Sequence, residues 1–436
     1  MYRRFLRYVI PSMIGFALSG VYAIVDGYFI GNSCGDIGLA AINVAFPLTA
    51  LMQCLGCGLG LGGAINYAIS DGANNYEERN RYLWVTIGLM FVSIILLMGI
   101  YIPFADPILR AFGAEGELLE LCKEYIRIII IGIPFQILGT GLVPFMRNMG
   151  GSFEAMLAML FGFIGNVGFD YLLVWKIPWG MTGAAIASVL GQAFSMLCAI
   201  WFLYRRRYQL LADMKTDLKP LIGKVLKVSV SPFGLTLIPN IAPIFINKAA
   251  FIYGGDLALG TYAVISYSVC VAMLLLQGIS DGAQPLISLH YGAKEFAVAK
   301  KIRNITYITS MIVAILSIFG LYYFRYTLPE IFGASAEVIV EVVHCINFFS
   351  FGLIFVSISR TTISYFYATE KNQLAYILIY LEPVVLLVCI IALSVKYGLD
   401  GTWYATAVCQ FFIALLSIAL LKYNRKKVLK ETQNGY

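Results

Sequence analysis

The sequence predicts an all-α integral membrane protein: twelve transmembrane helices in two six-helix bundles related by a pseudo-two-fold axis along the membrane normal. Three observations predict it. Of 436 residues, 60% are apolar and only 13% charged, with a mean hydropathy of +0.81, too little charge to cover a water-facing surface. The charges fall in short clusters, and the apolar runs between them are long enough to cross a ~30 Å hydrocarbon core. The first half of the chain can also be laid over the second.

The runs are residues 7–31, 38–69, 82–104, 124–146, 153–175, 181–204, 227–253, 259–289, 304–324, 337–367, 373–395 and 401–421. In lipid each segment must satisfy its own backbone polar groups, so the runs are helices; barrel strands would alternate polar and apolar residues, and these do not. Met1-Tyr-Arg-Arg leads into a first run too long for a signal-peptide core, so no cleaved leader is expected. The nine cysteines (Cys34, Cys54, Cys57, Cys122, Cys198, Cys270, Cys345, Cys389, Cys409) are scattered, mostly within spans, as small apolar residues rather than a disulfide framework.

Sorting lysine and arginine by loop orients the chain. The N-terminus, the even-to-odd loops and the C-terminus hold 23 of the 31, including Arg205-Arg206-Arg207, Lys294, Lys300, Lys301, Arg303 and Lys422 through Lys430. The opposite loops hold six: Arg110, Lys123, Arg127, Lys176, Arg325 and Lys396. The positive-inside bias therefore puts both termini in the cytoplasm. The net charge of +7 is topological, sitting at membrane edges and not on a nucleic-acid surface.

At a constant shift of 220, Gly35-Asp36 falls on Gly255-Asp256, Gly58 on Gly278, Gly62 on Gly282, Gly72-Ala73 on Gly292-Ala293, Phe112-Gly113-Ala114 on Phe332-Gly333-Ala334 and Gly132 on Gly352. Near the ends of the halves the shift becomes 218, pairing Ala187-Ser188 with Ala405-Thr406 and Gln192 with Gln410. Six spans per half is an even number, so both halves enter the membrane the same way. The expected organisation is an N-terminal lobe 1–204, a cytoplasmic linker 205–226 and a C-terminal lobe 227–436.

An ionisable residue inside a span costs at least ~2.5 kcal/mol on insertion scales and needs a reason to be there. Six qualify: Asp26, Asp170, Lys248, Asp281, Arg360 and Glu382. In the C-terminal half Asp281, Arg360 and Glu382 lie at similar depth, and with Lys248 they form a candidate charge network. The N-terminal half has Asp26 and Asp170, also at matching depth, and no embedded base. Asn166 is one turn before Asp170 and shares its face. Two uncompensated carboxylates in a low-dielectric site hold a proton or bind a cation; helix packing is the competing reading. Pro11 shares a span with Asp26 and is the candidate hinge.

Other signals are weaker. Gly56-Cys-Gly58-Leu-Gly60-Leu-Gly62-Gly63 formally contains G-x-G-x-x-G, but it lies within a span with no strand before it, so close helix packing is the expectation. Cys54 and Cys57 make one C-x-x-C with no second pair. His290 and His344 lie near span ends with no nucleophile beside them.

Several motifs together resemble the MATE (multidrug and toxic compound extrusion) transporters. These are Val25-Asp26-Gly27-Tyr28-Phe29-Ile30-Gly31, Arg147-Asn-x-Gly150, Asn166-Val-Gly-Phe-Asp170 and Gly278-x-x-x-Gly282-x-Gln284-Pro285 running to Tyr291-Gly292-Ala293. The resemblance spans essentially the whole chain and is greatest to the prokaryotic branch with its coupling aspartates in the N-terminal half. It implies a monomeric antiporter of the plasma (inner) membrane that exports small organic cations against inward H⁺ or Na⁺, with no other cofactor or metal. It also implies a cation site at Asp26, Asn166 and Asp170, with Ser188 where relatives often have threonine. Tyr171 replaces the proline that commonly follows the last aspartate, Glu382-Pro383 stands where many relatives have a base, and Asp281 is unusual in its motif. A lipid-linked saccharide flippase of the same broader superfamily is the runner-up, but it would line its cavity with cations, and Lys248 and Arg360 are the only embedded ones. An integral-membrane enzyme would need a polar catalytic cluster at one face, and none stands out.

Overall fold

A computed structural model describes residues 1–215 and 217–433; for residues 22–24, 36 and 427–433 only the backbone is described, which leaves the Asp36, Lys427 and Lys430 side chains outside it. Among the described residues the chain is helical, with no strand. The helices are α1 (Tyr2–Gly72), α2 (Tyr76–Ala111), α3 (Gly116–Asn148), α4 (Ser152–Asp170), α5 (Gly180–Arg205), α6 (Lys219–Gly292), α7 (Phe296–Tyr323), α8 (Thr327–Ile331), α9 (Ala336–Ala368) and α10 (Asn372–Gln433). A wide π-helical segment, Tyr171–Lys176, continues α4.

Three of these helices are too long for one crossing. The 74 residues of α6 would extend about 110 Å at 1.5 Å per residue. Each is broken once, at Gly35 (φ 63, ψ −162), Gly255 (φ 61, ψ −150) and Gly398 (φ 62, ψ −133), a region of backbone space open essentially only to glycine. Splitting them there leaves the twelve apolar crossings read from the sequence.

The repeat is written in the backbone as well as in the residues. Among the described residues, ten of the eleven with positive φ occur in mates, Gly116 being the exception: Gly35 with Gly255, Asn74 with Lys294, Gly113 with Gly333, Gly150 with Glu370, and Gly180 with Gly398. Four of these pairs lie at the shift of 220 and the last at 218, the two registers of the sequence repeat. Where they end helices, the hydrogen bonds also repeat. Gly150 N–H donates to Arg147 O and Gly151 N–H to Met146 O; Glu370 N–H donates to Tyr367 O and Lys371 N–H to Phe366 O. This is the Schellman closure, which satisfies carbonyls the helix leaves open.

The chain divides into two compact units, Met1–Leu237 with Ser288–Phe296, and Ile238–Ile287 with Ala297–Tyr436. In the first, Met90, Ile94, Ile133, Ile137, Ala184 and Ala185 are buried in the core. The glycine run is one of its tight seams. A Cβ on Gly60 would lie 2.2 Å from the carbonyl oxygen of Gly141, one on Gly56 2.9 Å from that of Ile137, and one on Gly63 2.0 Å from Thr86 Oγ1. The run therefore packs α1 onto α3 and α2, as small residues do in lipid.

After α5 the chain is strapped to α2. The Arg79 and Asn80 side chains donate to Gln209 O, Asn80 also to Leu211 O, Trp84 Nε1 to Leu210 O and Arg81 to Asp213 O. Side chains here satisfy carbonyls that no helix does. In the second unit Trp403 is fully buried, stacked on Tyr262 with ring centroids 6.3 Å apart, and its Nε1 donates to Glu341 at 3.3 Å. All nine cysteines are free.

Candidate functional site

Four helices of the first unit converge on one polar cluster. Asp170 closes α4, immediately before the π-helical segment, and is 0% exposed; Asn166, one turn earlier, is 1% exposed. Asp26 comes from α1 and its carboxyl neighbours that of Asp170. Ser188 of α5 is hydrogen-bonded with Tyr125 of α3, whose phenol faces both carboxyls. The structure thus brings together Asp26, Asn166, Asp170 and Ser188, and adds Tyr125.

The cluster is short of partners. Asp26 Oδ1, both Asp170 oxygens and both amide atoms of Asn166 are buried without a hydrogen bond among the described residues. No ion pair reaches either carboxyl among those residues. Buried polar atoms are almost always satisfied, so five orphans in one place are the mark of a site that takes up something polar. Two carboxylates, an amide oxygen and hydroxyls suit hard cations, and two acids side by side also suit a shared proton. No group of three or more His, Cys, Asp or Glu residues poised to hold a metal occurs among the described residues.

The π-helical segment bears on this geometry. A widened turn slips the helix by one residue, and such turns concentrate at functional sites. Here it begins at Tyr171, directly after Asp170. Pro11 is buried within α1, and the helix runs through it; the only non-helical residue of α1 is Gly35, on the other side of Asp26.

The second unit treats its charges differently. Arg360 Nη2 lies 3.8 Å from Glu382 Oε1, both side chains about nine-tenths buried, and Gln410 Nε2 donates to the same oxygen at 2.8 Å. Gln277 Nε2 and Tyr367 Oη each donate to Asp281 Oδ1 at 2.9 Å. Of the four residues read as a candidate network, Arg360 and Glu382 form an ion pair, Asp281 is hydrogen-bonded to Gln277 and Tyr367, and Lys248 is exposed.

Tyr125 does not stand out in the sequence, because it carries no formal charge and 28 tyrosines make one phenol inconspicuous. Its signal was position: a hydroxyl inside a span, on a helix between those carrying the aspartates.

The chain matches the sequence profile of the MatE family in two windows, residues 11–172 and 236–393, one in each repeat. It is similar to the multidrug export protein MepA of Staphylococcus haemolyticus, 23% identical over 98% of this chain and 95% of that one. The MepA of Staphylococcus aureus MSSA476 is 21% identical over 99% and 96%. Among solved structures, the outward-facing conformation of a multidrug resistance MATE family transporter of the MOP superfamily superposes with a TM-score of 0.93, at 20% identity over 98% and 96%. A MOP superfamily transporter from Pyrococcus furiosus, described as having a binding pocket of reverse polarity, gives 0.89 at 21% identity over 98% and 96%.

Proposed function

The chain belongs to the MatE family and is a multi-pass membrane transporter; from that premise we propose that it exports cationic amphipathic compounds in exchange for H⁺ or Na⁺ by alternating access. The observation that carries this reading is the pair Asp26 and Asp170, adjacent, with Asp170 fully buried, Asp26 Oδ1 buried, and no counter-cation among the described residues.

With both carboxyls ionised and open to the outside, the pair repels itself in a poorly screened site. One H⁺ or Na⁺ removes most of that cost, with Asn166 Oδ1 and the Ser188 and Tyr125 hydroxyls completing the shell. The relief draws α1 toward α4, and cargo is released outside. Return to the inside-facing state frees the cation and restores cargo affinity. A coupling of about 1–3 kcal/mol, some 5–150-fold in affinity, is enough for such an exchange.

Arg360 is neutralised by Glu382, which favours a cationic cargo over the anionic head of a lipid-linked saccharide. The relatives described as multidrug export proteins support the same class. The arginine and lysine bias supports cytoplasmic termini, and we place the protein in the plasma membrane as a monomer.

Ethidium efflux from proteoliposomes, with Na⁺ and pH gradients imposed separately, tests the proposal. Asp26→Asn should abolish cation-driven efflux while the protein stays folded. An Asp26→Asn transporter of full activity would overturn it.

A further inference from the structure

The first unit buries a positive charge that no acid answers among the described residues. Arg147, in the last turn of α3, is 5% exposed, and its Nη1 has no hydrogen-bond partner among those residues. None of the ion pairs formed by described residues includes it. A guanidinium keeps its proton in any protein, so it cannot escape the cost of burial by becoming neutral. Its Cζ lies 5.4 Å from the centre of the Phe16 ring on α1, a contact that favours the cation without neutralising it.

Two more orphans lie at the same corner. Ser12, one turn before Phe16 on α1, and Ser152, the first residue of α4, are 4% and 2% exposed, and neither hydroxyl has a partner among the described residues. Tyr8, a further turn back, comes close to the turn between α3 and α4: a Cβ on Gly150 would lie 3.5 Å from its Oη. The stripe of Tyr8, Ser12 and Phe16 therefore runs along the end of α3 and the start of α4. The N-cap of α4 is Gly151, with no side-chain cap, so its first-turn N–H groups and the positive end of its dipole lie at this corner too. Arg206 adds a second guanidinium, its Nη1 donating to Met149 O at 2.6 Å. Glu154, in the first turn of α4, is exposed.

The second repeat shows what the first lacks. At the shift of 220, Arg147 falls on Tyr367 and Leu61 on Asp281. Tyr367 Oη donates to Asp281 Oδ1 at 2.9 Å, so that repeat supplies its own acceptor. In the first repeat the acceptor's place is taken by Leu61, a buried leucine. The charge of Arg147 is left to be met by a group from outside the chain.

We propose that Arg147, Ser12, Ser152 and the start of α4 bind a small inorganic anion of the size of chloride. Guanidinium, hydroxyl and backbone N–H groups can all donate, which is what an anion requires. The near-complete burial of the three side chains favours a single atom over the bulkier phosphate of a lipid headgroup. The site is separate from the acidic cluster, because Phe16 precedes Asp26 by ten residues, about 15 Å along a helix. It does not depend on the transport reading.

Equilibrium binding of radioactive chloride to the full chain in neutral-lipid nanodiscs, with gluconate holding the ionic strength at about 0.15 M, tests this without transport. The native chain should bind chloride saturably, one ion per chain. Arg147→Met should weaken binding about tenfold or more, the loss of a charged hydrogen bond, and Ser12→Ala or Ser152→Ala about fivefold. Leu61→Asp, which places an acid where the second repeat has one, should also lose chloride. Gly88→Ala, whose Cβ would meet nothing within 4 Å, should bind as the native chain does. No saturable binding by the native chain, or full binding by Arg147→Met or Leu61→Asp, would overturn the proposal. Binding abolished in nanodiscs of anionic lipid would assign the site to a lipid phosphate and also overturn it. If the variants fail to fold, crystals of the native chain soaked in bromide should show an anomalous peak beside Arg147, and its absence there would refute the assignment.

Discussion

Replacing Glu370 with glycine should stabilise the protein, and the repeat provides the matching control. Glu370 is the left-handed residue of the turn after α9 (φ 59); its mate after α3 is Gly150 (φ 86). Both turns are closed by the same two backbone bonds, so they differ chiefly in the side chain at that position. A residue with a Cβ pays about 1–2 kcal/mol in the left-handed region, while glycine gives back roughly 0.5–1 kcal/mol in unfolded-chain entropy. The net gain for Glu370→Gly is about 0.5–1 kcal/mol, because the exposed side chain has no partner among the described residues to lose. Gly150→Ala should cost a similar amount. Its Cβ would meet only Tyr8 Oη, at 3.5 Å, so backbone conformation and not crowding sets the loss. Thermal unfolding in detergent, followed by intrinsic fluorescence, should show shifts of about 1–2 °C in opposite directions. Shifts of the same sign, or a fall in Tm for Glu370→Gly, would refute the argument that the turns are energetically alike.

Gly60→Ala drives a methyl into the backbone of Gly141 and should destabilise by about 1–3 kcal/mol, seen as a lower Tm than Gly88→Ala. Glu382→Gln leaves Arg360 buried without its partner and should cost about 3 kcal/mol; adding Arg360→Met should recover most of it in the same melt. Tyr125→Phe removes the hydroxyl bonded to Ser188. A loss near 1 kcal/mol should weaken apparent affinity for the coupling cation about fivefold in gradient-driven efflux while leaving Tm nearly unchanged.

Much of the architecture was legible because lipid imposes simple rules. Long apolar runs had to be helices, and glycines recurring in one register had to mark equivalent turns; the backbone dihedrals at Asn74 and Lys294, or Gly150 and Glu370, repeat that register. The cluster of Asp26, Asn166 and Asp170 was legible because two acids at one depth in the same half had no base to pair with. The charges of the other half were not, because depth fixes one coordinate of three. Asp281 shares a depth with Arg360 and Glu382, but Gln277 lies one turn away on its own helix and takes its Oδ1 together with Tyr367. Tyr125 was hidden for a different reason: phenols serve as membrane-interface anchors as often as they serve sites.

The breaks at Gly35, Gly255 and Gly398 carry a consequence for how this sequence can diverge. The left-handed caps accept asparagine, lysine or glutamate at a modest cost, as Asn74, Lys294 and Glu370 already demonstrate. The three breaks lie in a region that side chains essentially do not enter. In a saturation mutagenesis library selected for membrane insertion, positions 74, 294 and 370 should return many residue types. Positions 35, 255 and 398 should return glycine almost alone, although among the described residues no atom beyond the glycine's own helix and chain neighbours lies within 4 Å of a Cβ placed at any of them. Tolerance at these corners is decided by torsion and not by crowding.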